Sequence, residues 1–209
     1  MIPWEDNFDN ISKKQEELII GSLLGDARLE SRSLAKTARL RIHHADSQKD
    51  YLFWKFQQLR NLVSAGPKKH SYIDKRFSTN VVSWYFHTRT LKSFSTLYCS
   101  FYKTGKKVLP KQLSKMLTPF ALAVWIMDDG CLSKQSIILN TQNFSFEEHK
   151  KLQLLFKYQF SIDVGIHKDR RNFRLYFPTH ATKRMQHIIA PFLFGSKFIP
   201  VETDPRYLI

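Results

Sequence analysis

Leu122-Ala123-Val124-Trp125-Ile126-Met127-Asp128-Asp129-Gly130 is an apolar run that ends on two acids and a glycine. A helix over these residues, begun near Pro119, presents no polar face to water and must be buried. Earlier in the chain, Ile19-Ile20-Gly21-Ser22-Leu23-Leu24-Gly25-Asp26-Ala27 repeats the pattern: a dense apolar helix from about Lys14 to Gly25, then an acid followed by a small residue. Gly21, Gly25, Ala121 and Ala123 permit close backbone approach if the two helices pack together. That packing would bring Asp26 and Asp129 near each other at the foot of the pair.

The flanking elements also recur. Thr37 to His44 alternates Ala38, Leu40, Ile42 with Arg39, Arg41, His43, the pattern of a half-buried strand with a basic open face. Ser47 with Asp50 reads as a capping box opening a helix through Tyr51, Leu52, Trp54, Phe56 and Leu59. A basic turn, Gly66-Pro67-Lys68-Lys69, leads to strands around His70–Asp74 and Val81–Thr88 and a helix from about Leu91 to Tyr102. In the second half a strand at Ser136–Asn140 precedes the capping box Ser145-Phe146-Glu147-Glu148 and its helix. Strands around Asp163–His167 and Phe173–Phe177 and a helix from about Ala181 follow. Both halves read α-β-β-α-β-β-α, a two-copy duplication with expected boundaries 14–112 and 117–209. Each half closes on Lys-x-x-Pro, Lys107 to Pro110 and Lys197 to Pro200.

The paired acids are electrostatically unfavourable alone. A carboxylate at a helix C-terminus is disfavoured by about 0.3–1 kcal/mol, and two close together repel. A divalent cation reverses this. Carboxylates with exposed terminal carbonyls form an all-oxygen site for Mg²⁺, which near a phosphate activates water and stabilises the leaving oxygen. The expected ligands are Asp26, Asp129, Gly25 and Asp128. Mn²⁺ is expected to substitute, and Ca²⁺ to support binding without cleavage.

The chain has 209 residues, of which 33 are Lys or Arg and 18 Asp or Glu, a net charge of +15. Such an excess calls for a polyanionic partner. Basic residues on or beside the expected strands are Arg28, Arg32, Arg39, Arg41, His43, Lys68, Lys69, Lys75, Arg76, Lys134, Lys168, Arg170, Arg171 and Arg174. A two-stranded ribbon fits the DNA major groove, where Arg reads guanine and Gln reads adenine. Arg39, Arg41, Gln142 and Arg174 are the expected base readers, with the turn lysines on phosphate. Adjacent strand residues point to opposite faces, so His43-His44 reads as one surface and one core residue rather than a metal pair. Cys99 and Cys131 lack zinc spacing and read as free thiols. No apolar run reaches the roughly 20 residues of a membrane span, and the acidic start resembles no signal peptide.

The two motif segments resemble those of the LAGLIDADG homing endonucleases, in the single-chain, two-motif form. Asp26 and Asp129 fall at the motif's metal-binding eighth position. The likeness runs from about Lys14 to Pro200. Val124, Met127, Ser22, Leu24 and Trp125 depart from the eponymous letters, and Ala27 replaces the final glycine of the first motif. The resemblance implies an α+β fold of two pseudo-symmetric repeats, each with a curved antiparallel sheet of four strands. The sheets would form a DNA-binding saddle, with the motif helices at the repeat interface. It further implies a monomer that makes a staggered break in a long double-stranded DNA site, with Lys107 and Lys197 assisting around the metal. An RNA maturase acting on intron RNA, or a non-cleaving DNA-binding regulator, would use the same fold. Retention of both acids favours the nuclease. An organelle is the expected compartment, with bacterial cytoplasm second.

Overall fold

The computed structural model describes residues 11–31, 37–75 and 78–195. Arg32, Arg76 and Lys197, with the tail to Pro200, lie outside the described residues. The chain divides into two compact units, Met1–Ala121 and Leu122–Ile209, each described below by itself.

The first unit starts with α1 (Lys13–Leu24), capped by a reciprocal box in which the Ser12 hydroxyl accepts from the Gln15 amide. The Gln15 side chain answers on the Ser12 amide at 3.0 Å. Leu18, Ile19, Ile20, Leu23 and Leu24 are at most 3% exposed, and burying each contributes about 1.5–3 kcal/mol. Four strands follow: β1 (Arg28–Ser31), β2 (Ala38–Ala45), β3 (Lys68–Asp74) and β4 (Thr79–His87). They form an antiparallel sheet in the order β1-β2-β4-β3. Leu29, Ala38, Leu40, Ile42, His44 and Phe86 are buried on one face. That face packs against α2 (Lys49–Gln58) and α3 (Lys92–Phe101). Phe56 meets Phe86 edge-on at 5.6 Å, and Phe53 meets Trp84 likewise. The opposite face carries Arg28, Arg39, Arg41 and His43.

The entry to α2 differs from the capping box expected at Ser47. A 3-10 turn, Asp46–Gln48, precedes the helix, and the N-cap Gln48 makes no side-chain cap bond. Trp84 Nε1 instead donates to Asp46 Oδ1 at 2.7 Å, fastening the turn to β4. After α3 come a two-residue hairpin, β5 (Tyr102–Lys103) and β6 (Lys106–Lys107), and the short α4 (Leu113–Met116).

The motif helix α5 (Pro119–Asp129) leads into the second unit. Its strands β7 (Gly130–Ser133), β8 (Ser136–Leu139), β9 (Gly165–Asp169) and β10 (Asn172–Phe177) pair in the matching order β7-β8-β10-β9. The helices are α6 (Phe146–Leu155) and α7 (Thr179–Ile189). Ser145 and Glu148 form the expected reciprocal cap. A π-turn, Phe156–Phe160, extends α6 and ends on Ser161 at φ 55°. Trp125, Phe156, Leu175 and Phe177 are fully buried, with Phe156 edge-on to Phe177 at 5.1 Å.

The two units thus repeat α-β-β-α-β-β-α, the α+β duplication read from the sequence. Both sheets begin with a four-residue strand, β1 and β7, that side-chain alternation alone does not reveal. No helix among the described residues is long and apolar enough to cross a membrane.

Candidate active site and nucleic-acid interface

The two motif helices end differently. In the first unit α1 stops at Leu24, Gly25 donates to the Gly21 carbonyl, and Ala27 N donates back five residues to Ser22 O at 2.8 Å. This wide turn leaves the Asp26 side chain 40% exposed. In the second unit the helix continues through Asp129, whose carbonyl accepts from Asn140 N at 3.0 Å. Gly130 then enters β7 with no room for a side chain. A Cβ there would fall on the Ile126 carbonyl oxygen. Asp128 and Asp129 are both half-buried.

Lys107, nominated through the Lys-x-x-Pro tail, lies at the end of α1. Its Nζ donates to the carbonyls on either side of Asp26, Gly25 O at 2.9 Å and Ala27 O at 3.2 Å. The β5–β6 hairpin carries it there. A cation on the terminal carbonyls of a helix offsets the negative end of the dipole.

His44 is a site residue that the sequence reading left in the core. Its side chain is 0% exposed, and Nδ1 lies 3.3 Å from Asp26 Oδ2 and 3.1 Å from Gln48 Oε1. Two acceptors around Nδ1 favour the tautomer protonated there. Nε2 is buried with no hydrogen-bond partner among the described residues. The signal was the parity of β2, which sets His44 on the same face as Leu40 and Ile42.

Each motif end offers hard oxygen donors: the partly exposed Asp26 carboxylate and the Gly25 carbonyl in one, the Asp128 and Asp129 carboxylates in the other. That chemistry fits a hydrated Mg²⁺, which keeps several waters and takes one or two protein carboxylates.

Within the first unit, the open face of the sheet gathers five of the nominated cations. Arg28, Arg39, Arg41, His43 and Lys68 share it with Glu30, His70, Tyr72, Tyr85 and His87, as the pairs Arg28↔Arg41, Glu30↔Arg39, Arg41↔His87, His43↔Tyr85 and Lys68↔Tyr85 require. Lys69 pairs with Trp84 and so lies on the helix-bearing side. Burial, then the charges of Arg41 and His44, push His43 below its ordinary range. Lys75 is exposed at the β3–β4 turn.

In the second sheet Arg174 and His167 pair on the open face, where Tyr176 stacks on His167 at 4.2 Å. Exposed Cys131 shares this face through its pairing with Ile138 and that residue's with Tyr176. Gln142 Nε2 donates to Asp169 Oδ2 at 2.9 Å, so one of its amide donors is already committed. Lys168 pairs with Phe173 on the side of α6, since Phe173 touches Phe146 and His149. Lys134, Arg170 and Arg171 are exposed in the hairpin turns, with Lys134 and Arg170 at φ 57° and 55°.

A repeated motif helix ending in acid, followed by a four-stranded antiparallel sheet with a cationic open face, defines a two-motif nuclease-type scaffold. The model of the LAGLIDADG DNA endonuclease family matches residues 16–185, and the chain belongs to that family. Among curated relatives, the DNA endonuclease I-ChuI of Chlamydomonas applanata is 29% identical over 201 residues, spanning 88% of this chain and 92% of its own. The cytochrome b mRNA maturases bI2 of Debaryomyces hansenii and Saccharomyces cerevisiae are 33% and 30% identical over 78% and 86% of this chain. The matches span only 63% and 45% of those two maturases. Among solved structures, the homing endonuclease I-WcaI bound to its DNA recognition sequence superposes with a TM-score of 0.83. It covers 92% of this chain and 88% of its own at 24% identity, a likeness of fold.

Proposed function

We propose that this chain is a site-specific endonuclease that hydrolyses both strands of a long double-stranded DNA target and leaves a staggered break. The observation that carries the reading is the doubled motif ending, Asp26 in one unit and Asp129 in the other, in a chain of a DNA endonuclease family. The two repeats, 14–112 and 117–209, would form a saddle over the duplex with the motif helices between them, and the chain would act as a monomer.

Mg²⁺ would be held by the Asp26 and Asp129 carboxylates, with Gly25 and Asp128 at the margin, and would supply an activated water and charge stabilisation at the phosphate. Mn²⁺ would substitute, and Ca²⁺ would support binding alone. Lys107 fixes the turn that carries Asp26 and adds positive charge beside it. Lys197 is assigned the corresponding role in the second repeat. Arg28, Arg39, Arg41, Gln142 and Arg174 face the grooves, while Lys75, Lys134, Arg170 and Arg171 engage phosphate.

A second reading, assistance to intron RNA splicing, is favoured by the two relatives named as cytochrome b mRNA maturases. Their names also favour an organelle as the compartment. The deciding experiment selects cleaved duplexes from a randomised DNA pool with Mg²⁺ and, for binding, with Ca²⁺. Cleavage of one long target by the wild type, lost or reduced to nicking in Asp26→Asn and Asp129→Asn, is the expected result. Binding without cleavage under every condition would overturn it and turn attention to structured RNA.

A further inference from the structure

Glu30 is an acid on the open face of the first sheet, and four cationic or ionisable groups converge on it. Arg28 donates from Nε and Nη2 to Oε1 at 3.2 and 2.9 Å. Arg39 donates from Nε and Nη2 to Oε2 at 3.0 and 2.8 Å. Arg41 Nη1 stands 3.6 Å from Oε1, and His87 Nε2 is 3.4 Å from Oε2. Both carboxylate oxygens are therefore engaged from two sides.

The register explains the convergence. Arg28 lies directly across from Arg41, and Arg41 across from His87, so cations stand side by side over three strands. Like charges directly opposite each other destabilise a sheet. Glu30, in the next pair on the same face, sits across from Arg39 and within reach of all of them. One negative charge among three guanidiniums leaves a surplus of positive charge for a polyanion, while the geometry of each guanidinium becomes fixed.

The manner of fixing bears on recognition. A guanidinium has two bidentate edges, Nε with one Nη, and the pair of Nη atoms at its end. Arg28 and Arg39 both spend the Nε–Nη2 edge on Glu30, which leaves the end edge to meet guanine O6 and N7. Arg41 is held differently, with its guanidinium carbon 4.8 Å from the Tyr85 ring centre. Its Nε is buried and has no hydrogen-bond partner among the described residues. In the second sheet the positions two and four residues past the motif acid are Cys131 and Ser133, so this arrangement belongs to the first repeat.

We propose that Glu30 is a specificity-determining positioning residue: it orders Arg28, Arg39 and Arg41 before binding so that the first repeat reads guanine-containing base pairs. The inference rests on the DNA-binding reading above. It assigns discrimination to an acid that repels phosphate, and that feature makes it testable.

The test is a base-by-base binding profile from a randomised duplex pool in Ca²⁺, for wild type, Glu30→Gln, Glu30→Asp, Arg39→Ala and the pair Glu30→Gln with Arg39→Ala. Glu30→Gln is expected to bind non-specific DNA as tightly as wild type or tighter. It should lose about fivefold or more of the guanine preference at the columns that Arg39→Ala also flattens. The double variant should lose little more than either single one, and Glu30→Asp should restore part of the preference. An unchanged Glu30→Gln profile, or a loss confined to a column that no arginine variant affects, would overturn the proposal. The first would make Glu30 a purely structural ion pair, the second a direct base reader. A wild type that selects no duplex at all would instead overturn the DNA-binding reading itself. Thermal melting of each variant separates loss of fold from loss of discrimination.

Discussion

Lys107 Nζ reaches back across the first unit to donate to the Gly25 carbonyl at 2.9 Å, so the turn that presents Asp26 is held by a residue from a separate hairpin. With the second bond to Ala27 O, the ammonium brackets the acid. Hydrogen bonds from charged donors contribute about 1.5–3 kcal/mol, which corresponds to a rate effect of about 10- to 150-fold if felt in the transition state. Lys107→Met is therefore expected to slow single-turnover cleavage by that factor. DNA affinity in Ca²⁺ should change by less than about threefold, since the ammonium is spent on two backbone carbonyls and adds only one screened charge to the DNA grip. Equal loss of binding and cleavage would reassign Lys107 to the DNA grip.

His44 supports Asp26 from beneath. Removing the ring in His44→Ala leaves a cavity against Tyr51, whose ring centre is 5.3 Å away, and deprives Asp26 Oδ2 of a neighbour at 3.3 Å. A destabilisation of about 1–3 kcal/mol is expected, with slower cleavage. His44→Asn keeps a donor where Nδ1 stood and should recover more activity than His44→Gln, which keeps one near Nε2. Urea melts and single-turnover rates check both, and equal activity of the two amides would argue against a role for Nδ1.

Gly130 and Ala27 occupy the same position after the two acids, yet only one tolerates a side chain. Gly130→Ala presses a methyl group on the Ile126 backbone oxygen, which cannot rotate away. Overpacking of this kind costs about 1–3 kcal/mol. Ala27→Gly removes a buried methyl group and adds backbone freedom, worth about 0.5–1 kcal/mol. Thermal unfolding should therefore rank Gly130→Ala below Ala27→Gly, and the reverse order would refute the steric account.

Acid should weaken the first unit in two stages. Burial and then the Arg39 charge lower His87 below its ordinary 6.5, although Glu30 opposes the shift. The folded state thus binds fewer protons, and stability present above pH 6.5 declines as pH falls past it. For Glu30, burial alone would raise the carboxyl, but hydrogen bonds from Arg39 and Arg28 and the charge of His87 bring it from 4.5 to about 2. Its contribution is complete above 4.5 and is lost as pH falls towards about 2. Urea unfolding between pH 7.5 and 3 should show Glu30→Gln with a flatter acid limb than wild type.

Legibility in the sequence followed the range of the interaction. The motif helices were visible because five large apolar residues in α1 and the whole of α5 leave no polar stripe. β2 was visible through its alternation, and α6 through the Ser145–Glu148 box. β1 was not, because four residues, Arg-Leu-Glu-Ser, are too few to display a period. Ser47 is not the cap because it lies inside a 3-10 turn, Asp46–Gln48, that places the helix start one residue later. Lys69 and Lys168 looked equivalent to Lys68 and Arg174, yet a one-residue register decides the face. Glu30 and His44 were missed for a common reason: their roles depend on partners brought together by strand pairing and helix docking, which local pattern does not encode.

The exposure of Cys131 has a practical side. It lies on the open face of the second sheet, two residues after Asp129, and the other thiol, Cys99, is on a helix of the first unit. With Cys99 changed to serine, one reporter dye could be attached at Cys131 under mild conditions. Its emission would follow the arrival and departure of a nucleic acid in real time, without altering any acid or arginine discussed above.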